Sequence, residues 1–179
     1  MCRLGVVTWE DRLPRGRTVS EESEVREGLD RLRDVMEQSV PLVRHLGIEV
    51  VEVGDGRGVA RLPDDPALGN HVGTQHAGSL FTVAETASGA AMIGAFSVVG
   101  VAGSAVALVR SATIRYSRPA RGVITATAVL DEGARAAVGS LVAEPKADFV
   151  VEVVMHDDSG DEVACLSVDW AVRKRTPRA

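Results

Sequence analysis

The sequence predicts an α+β domain in which an antiparallel sheet wraps one long central helix, with an additional helix ahead of it. Three observations carry this expectation. Residues 77–95 run without proline and are apolar nearly all round, which marks a buried helix rather than a surface one. The residues after it fall into runs of β-branched and apolar side chains joined by turn signals, which read as antiparallel strands. Only 3% of the residues are aromatic while Ala, Val and Gly abound, so the core is built from small side chains that let a helix lie close on a sheet.

Each element follows from its local pattern. Residues 1–20 carry four arginines and no hydrophobic period and read as an extended arm. Ser20, followed by Glu21, Glu22 and Ser23, offers an N-cap with an acidic first turn, and Val25, Leu29, Leu32, Val35 and Met36 recur at helical spacing up to residues 39–41. A second short helical piece, 42–46, is stopped by Gly47. Residues 48–53 and 57–62 flank Gly54-Asp55-Gly56 as a hairpin whose turn sets the register. Residues 63–75, with two prolines and two glycines, read as a long loop, and loops of that length in compact domains tend to be functional. The helix over 77–95 is about 18 residues, roughly 27 Å long, with Leu80, Ala84, Ala87 and Ala91 on one stripe and Phe81, Ser88 and Met92 beside it. Strands are expected over 105–116, 123–130, 149–156 and 163–172, mostly hairpin-connected, with an Ala/Gly/Pro-rich connection over 131–146 and a turn over 157–161. The chain thus divides into an arm and amphipathic helix, 1–41, and a main domain, 42–175.

Charge and composition exclude several classes. Twenty basic and 25 acidic residues give a net charge of −5, which argues against nucleic acid and leaves only Arg173-Lys174-Arg175 as a basic patch. No apolar run is expected to approach the ~20 residues that span a bilayer, and the first residues break into charges before a signal-peptide core forms, so a cytoplasmic protein without a membrane partner is expected. The two cysteines, Cys2 and Cys165, make neither a disulfide framework nor a metal cluster. His71, with Asp64, Asp65 and His76, lacks a compact metal spacing, so neither metal nor cofactor is expected. His156 precedes a turn and is expected to face solvent. Cys165, with no basic neighbour along the chain, reads as a small hydrophobe.

Chemistry concentrates in residues 70–89. A polar loop leads into the buried helix, whose free first-turn N–H groups and positive dipole end suit a partly negative oxygen. Ala77 and Gly78 are small enough for a carbonyl to approach their N–H groups closely. Glu85 lies two turns into the helix among Val83, Ala84, Thr86 and Ala87, with no basic residue at i±3 or i±4 to offset burial. Either it reaches solvent or a distant arginine, or it is buried for a task. Nine residues separate His76 from Glu85, about 13.5 Å along a helix, far beyond the ~3 Å reach of a group attacking a carbonyl held at the helix start. If both act on one carbonyl, they come from two copies of the helix, antiparallel across a two-fold axis.

At these residues the sequence resembles the hotdog-fold thioesterases, in particular the phenylacetate-pathway type of acyl-coenzyme A thioesterase. That type reads Asn, six residues on His-Gly-Gly, and nine residues after the His an acid within Leu-Ala-Asp. This chain has Asn70, His76-Ala77-Gly78 and Val83-Ala84-Glu85 at the same spacings, and residues 111–120 look like the family's strand leading to an Arg-Pro turn. The resemblance runs over about 42–173 and implies a hotdog fold, hydrolysis of an acyl-coenzyme A thioester without a cofactor, and a homodimer or homotetramer. It implies that Glu85 is general base or nucleophile, that the Ala77 N–H with help from Gly78 polarises the carbonyl, that Asn70 positions a water or the loop, and that His76 orients the helix start or hydrogen-bonds the thioester. Phe81, with Met92 and Phe96, would line the acyl pocket, and Ser104 would reach the site from the second subunit, as a hydroxyl does in several relatives. Arg110 reads either as a contact to a coenzyme A phosphate or the partner subunit, or as an exposed strand arginine. Two residues depart from the pattern. The methyl of Ala77 leaves its N–H intact, and Glu85 in place of Asp leaves nucleophile or base open. A second reading is a non-catalytic hotdog protein that binds acyl-coenzyme A or fatty acyl ligands. A hotdog dehydratase or hydratase is disfavoured, since its usual helix-region histidine followed by a proline-containing turn is absent.

Overall fold

The computed structural model describes residues 19–175; residues 1–18 of the arm expected over 1–20, Cys2 among them, and the side chains of Ser20, Val25 and Leu29 lie outside the described residues. In chain order the elements are α1 (Val19–Ser39), α2 (Pro41–His45), β1 (Glu49–Gly54), β2 (Arg57–Leu62), a 3-10 turn (Pro66–Leu68), α3 (Ala77–Val98), β3 (Ala105–Tyr116), β4 (Ile124–Val129), α4 (Glu132–Ser140), β5 (Lys146–His156) and β6 (Glu162–Lys174). The six strands form one sheet in the order β1-β2-β4-β5-β6-β3, antiparallel throughout. This is the expected α+β arrangement, with α3 packed on the inner face of the sheet.

Small residues bring α3 onto the sheet. Val83, Ala84, Ala87, Ala90 and Ala91 are fully buried, and two glycines remove the side-chain layer altogether. A Cβ on Gly58 of β2 would collide with the backbone of Ala87 and Ala91, and one on Gly94 would collide with the carbonyl of Gly54. Helix and strand backbones therefore touch at two points along β1 and β2, a closeness that any larger residue forbids. By length and composition α3 would also suffice to cross a membrane, which corrects the expectation that no run does; 67% of its most apolar window is buried inside the fold.

Other expectations differ from the structure. Of the strands expected to be mostly hairpin-connected, β4 pairs with β5 and β5 with β6, whereas β3 pairs with β6 and not with the β4 that follows it. Pro119, which lacks a donor, and Gly122, held at φ 65°, shape a connection that crosses the sheet instead of turning back. Residues 131–146 are not all connection. Asp131 accepts from the Ala134 N–H at 2.7 Å and caps α4, whose Ala134 and Val138 are buried, while Gly133 and Gly139 at its two ends gave the loop reading. Arg135 then donates to the Asp55 carbonyl at 2.6 Å and fastens α4 to the β1–β2 turn.

α1 begins at Val19, which places Ser20 inside the helix, and α3 runs to Val98, three residues past the expected end. Leu32 and Met36 pack against Val50, Val53, Ala90 and Ile93, whereas Val35, expected on the apolar face, is exposed. The Glu37 carboxylate accepts from the Val50 N–H at 2.6 Å, so α1 seals the outer edge of β1. At the other end of the sheet β3 has a partner on one side only.

Gly58→Ala should force the helix off the sheet, destabilise the fold by about 2 kcal/mol and lower the thermal midpoint by roughly 4–8 °C, as read by circular dichroism.

Candidate active site

The start of α3 is built by a loop that folds around one side chain. Asn70 Oδ1 accepts from the N–H groups of Val72 and Thr74, both at 3.1 Å, and its Nδ2 donates to Thr74 Oγ1 at 2.8 Å and to the Gln75 carbonyl at 3.3 Å. Both acceptor positions and both donors of the amide are consumed inside the loop. The amide is committed to holding the shape of this loop. Gln75, which no motif singles out, is buried and joins this loop to the β3–β4 connection: its N–H donates to the Ala120 carbonyl at 2.9 Å, and its Nε2 donates to the carbonyls of Pro63 and Gly122 at 2.9 and 3.0 Å.

His76 caps α3. Its Nδ1 accepts from the Gly78 N–H at 2.9 Å, which requires an unprotonated Nδ1. The imidazole thus caps the helix start. The same bond corrects the expectation for Gly78, whose N–H is spent on His76 and cannot assist Ala77. The Ala77 N–H has no acceptor among the described residues. Tyr116, at the end of β3, which no motif singles out, donates its hydroxyl to the Ala77 carbonyl at 3.1 Å. The peptide between Ala77 and Gly78 is thereby held at both ends, by Tyr116 on its carbonyl and His76 on its N–H. The preceding N–H, that of Ala77, is left at an exposed helix end, in a fixed direction, with the helix dipole behind it.

Glu85 is half-buried on the same helix. Among the described residues nothing pairs with its carboxylate, and burial pushes its pKa above the ordinary glutamate value. Ala77, Phe81 and Glu85 follow one another at i, i+4 and i+8, so they share one helix face. Eight residues still place Ala77 and Glu85 about 12 Å apart along the axis. The turn carrying Glu85 is tied to the sheet from behind: Trp170 Nε1 donates to Ser88 Oγ at 3.3 Å, and Ser88 Oγ donates to the Glu85 carbonyl at 2.7 Å.

The remaining candidates lie apart from this pair. Phe81 is half-buried against the core, and Met92 and Phe96 are buried within it. Ser104 donates its hydroxyl to the Val101 carbonyl at 3.1 Å, beyond the far end of α3 from Ala77. Arg110 pairs with Asp169 at 2.8 Å and Asp148 at 2.9 Å on the face turned away from α3, and Arg173 reaches Asp148 at 2.6 Å. Hydrogen bonding to Asp169 raises the Arg110 pKa, and the bond from Arg173 lowers that of Asp148, so this cluster is an ion network with its charges matched. Arg110 accordingly fits the strand-arginine reading. Arg115 Nη2 stands 3.4 Å from Cys165 Sγ, a basic neighbour that linear sequence hides because the β3–β6 register creates it. His71 is exposed, and His156 is half-buried where solvent was expected.

Comparison with known proteins is consistent with this architecture. A family model described as a domain of unknown function (DUF4442) matches residues 28–172. A solved protein of unknown function from Pseudomonas aeruginosa, described as a probable thioesterase, shares 27% identity over 82% of this chain and 95% of its own, with a TM-score of 0.70. The E. coli PaaI protein from the phenylacetic acid degradation operon shares 18% identity over 83% of this chain and 94% of its own (TM-score 0.63). A Haemophilus influenzae thioesterase shares 19% over 82% and 90% (TM-score 0.63). No curated protein matches the sequence.

A carboxyl whose folded pKa is raised destabilises the fold above that pKa and ceases to do so below its unfolded value. Glu85→Gln should therefore melt at a higher temperature than the wild type at pH 8, and the gap should close as pH falls into the ordinary glutamate range. Calorimetric melts across that range check the sign.

Proposed function

The chain belongs to the DUF4442 family and has the hotdog fold of its thioesterase neighbours, and on that footing we propose that it hydrolyses acyl thioesters of coenzyme A. One observation carries the reading. An unpaired carboxylate with a raised pKa and an unpaired N–H at a helix start occupy the same face of a buried helix. Neither group has a structural use for its free valence, and together they are what a hydrolytic carbonyl reaction needs.

In this reading the thioester carbonyl oxygen accepts from the Ala77 N–H, and the helix dipole favours the charge that develops on it. Glu85, ionised, either takes a proton from the attacking water, the tetrahedral intermediate then expelling the thiolate of coenzyme A, or attacks the carbonyl itself and expels the thiolate to leave a mixed anhydride that water hydrolyses to the free acid and Glu85. Because about 12 Å separates the two groups within one chain, the carbonyl at one protomer's Ala77 meets Glu85 from a second copy. The unpaired side of β3, with exposed Val106 and Leu108, supports such a pairing of copies, as a homodimer or, by pairing of dimers, a homotetramer.

Thiol release from a panel of short, medium, long and aryl coenzyme A thioesters tests the activity. Wild type should turn over at least one class, and Glu85→Gln should lower turnover by ~10²-fold or more while keeping the fold. Turnover should rise with pH through an inflection above the ordinary glutamate value, since only the ionised carboxylate acts. A wild type that binds acyl-coenzyme A yet cleaves none replaces the reading with a ligand-binding one. Light scattering should return two or four times the 18.9 kDa chain mass; a fully active monomer overturns the shared site.

A further inference from the structure

The connection between β3 and β4 carries an exposed arginine beside the loop ahead of α3. The β3–β4 connection is fastened to the loop ahead of α3 at three points. Two run from Gln75 to the carbonyls of Ala120 and Gly122, at 2.9 and 3.0 Å, and the third runs from Arg121 Nη1 to the Gly73 carbonyl at 2.8 Å. Arg121 thus sits between two pinned residues, with its side chain laid across the loop. It is exposed, and no carboxylate pairs with it among the described residues. The acids of the neighbouring turn are engaged elsewhere: Asp161 pairs with Arg118 at 2.8 Å, and Asp158 accepts from the Val123 N–H at 3.0 Å. A guanidinium has five donors in a planar fork, and the bond to Gly73 occupies only one nitrogen's share. A solvent-facing fork with spare donors suits a phosphate group.

We propose that Arg121 binds a phosphate of the coenzyme A portion of the substrate while the acyl carbonyl rests at the Ala77 N–H, an assignment that depends on the thioesterase reading above. Gly73, which the guanidinium touches, and Ala77 are four residues apart, hence at most about 14 Å. The extended pantetheine arm crosses that span, so one substrate reaches both anchors. The charge-matched Arg110 cluster offers no such fork, and it lies on the face turned away from α3.

The test compares the same acyl group carried on coenzyme A and on N-acetylcysteamine, which lacks phosphates. Arg121→Glu should raise KM for the acyl-coenzyme A and lower the kcat/KM preference for it over the N-acetylcysteamine thioester about tenfold or more. Added salt should weaken that preference in wild type and have less effect in Arg121→Gln. An equal loss on both substrates marks the Gly73 bond as structural only and overturns the assignment, as does no change on either. Calorimetric titration with free coenzyme A separates this from the activity itself. A wild type that cleaves nothing but binds coenzyme A in an Arg121-dependent way sinks the hydrolase reading and keeps the phosphate contact. An active wild type whose coenzyme A affinity ignores Arg121 does the reverse.

Discussion

The backbone contact between α3 and the first two strands governs the rest of the molecule. At Gly58 and Gly94 the helix rests on the sheet without intervening side chains, and the alanines between these points keep the approach close along the turns from Ala84 to Ala95. Close-packed interiors transmit displacement instead of absorbing it. The axis of α3 therefore has little freedom to slide or tilt, and the direction of its first N–H groups inherits that rigidity. The Trp170–Ser88 bond adds a third fixed point, one that touches the very turn from which Glu85 projects.

Against this rigid frame, α3 and the loop ahead of it hold polar groups without partners among the described residues. Glu85 is half-buried without a partner, and Gln75 Oε1 is buried with no donor among the described residues. Each is unfavourable by ordinary standards of polar burial. The cap makes a related selection. By accepting from Gly78, His76 satisfies one of the orphan donors of the first turn, while that of Ala77 has no acceptor among the described residues. Tyr116 completes the restraint from the sheet side. The local surplus of unmet polar groups is held in place by a core whose alanines and glycines leave no slack.

Much of this was legible in the sequence because it rests on short-range pattern. The residues of β2 and β3 were bounded correctly by alternation and by flanking turn residues, and α3 announced itself by an apolar run without proline. Asn70, His76, Ala77 and Glu85 could be placed on a loop and a helix from spacing alone. What stayed hidden depends on pairing across long stretches of chain. The partner of β3 is β6, so neither the Arg115–Cys165 contact nor the Arg110 ion network can be foreseen from neighbours in sequence. The same holds for Gln75, Tyr116 and Arg121, whose significance arises only where residues 116–122 meet residues 73–77. Gly78 looked available because a helix start normally leaves its donors free, and only the rotamer of His76 shows otherwise. In α4, glycines near both ends outweighed an alanine-rich centre that a buried Ala134 and Val138 make helical.

The two borders of the sheet are treated differently. Along β1, α1 lies against the strand and Glu37 takes up the Val50 N–H, whereas β3 keeps twelve residues of strand with one side unpaired. A sheet with two open borders can add copies without end, which is the geometry of a fibre; a sheet with one open border can join a single like neighbour and then has nothing further to offer. With α1 lying against β1, the described sheet is left with one such border, at β3.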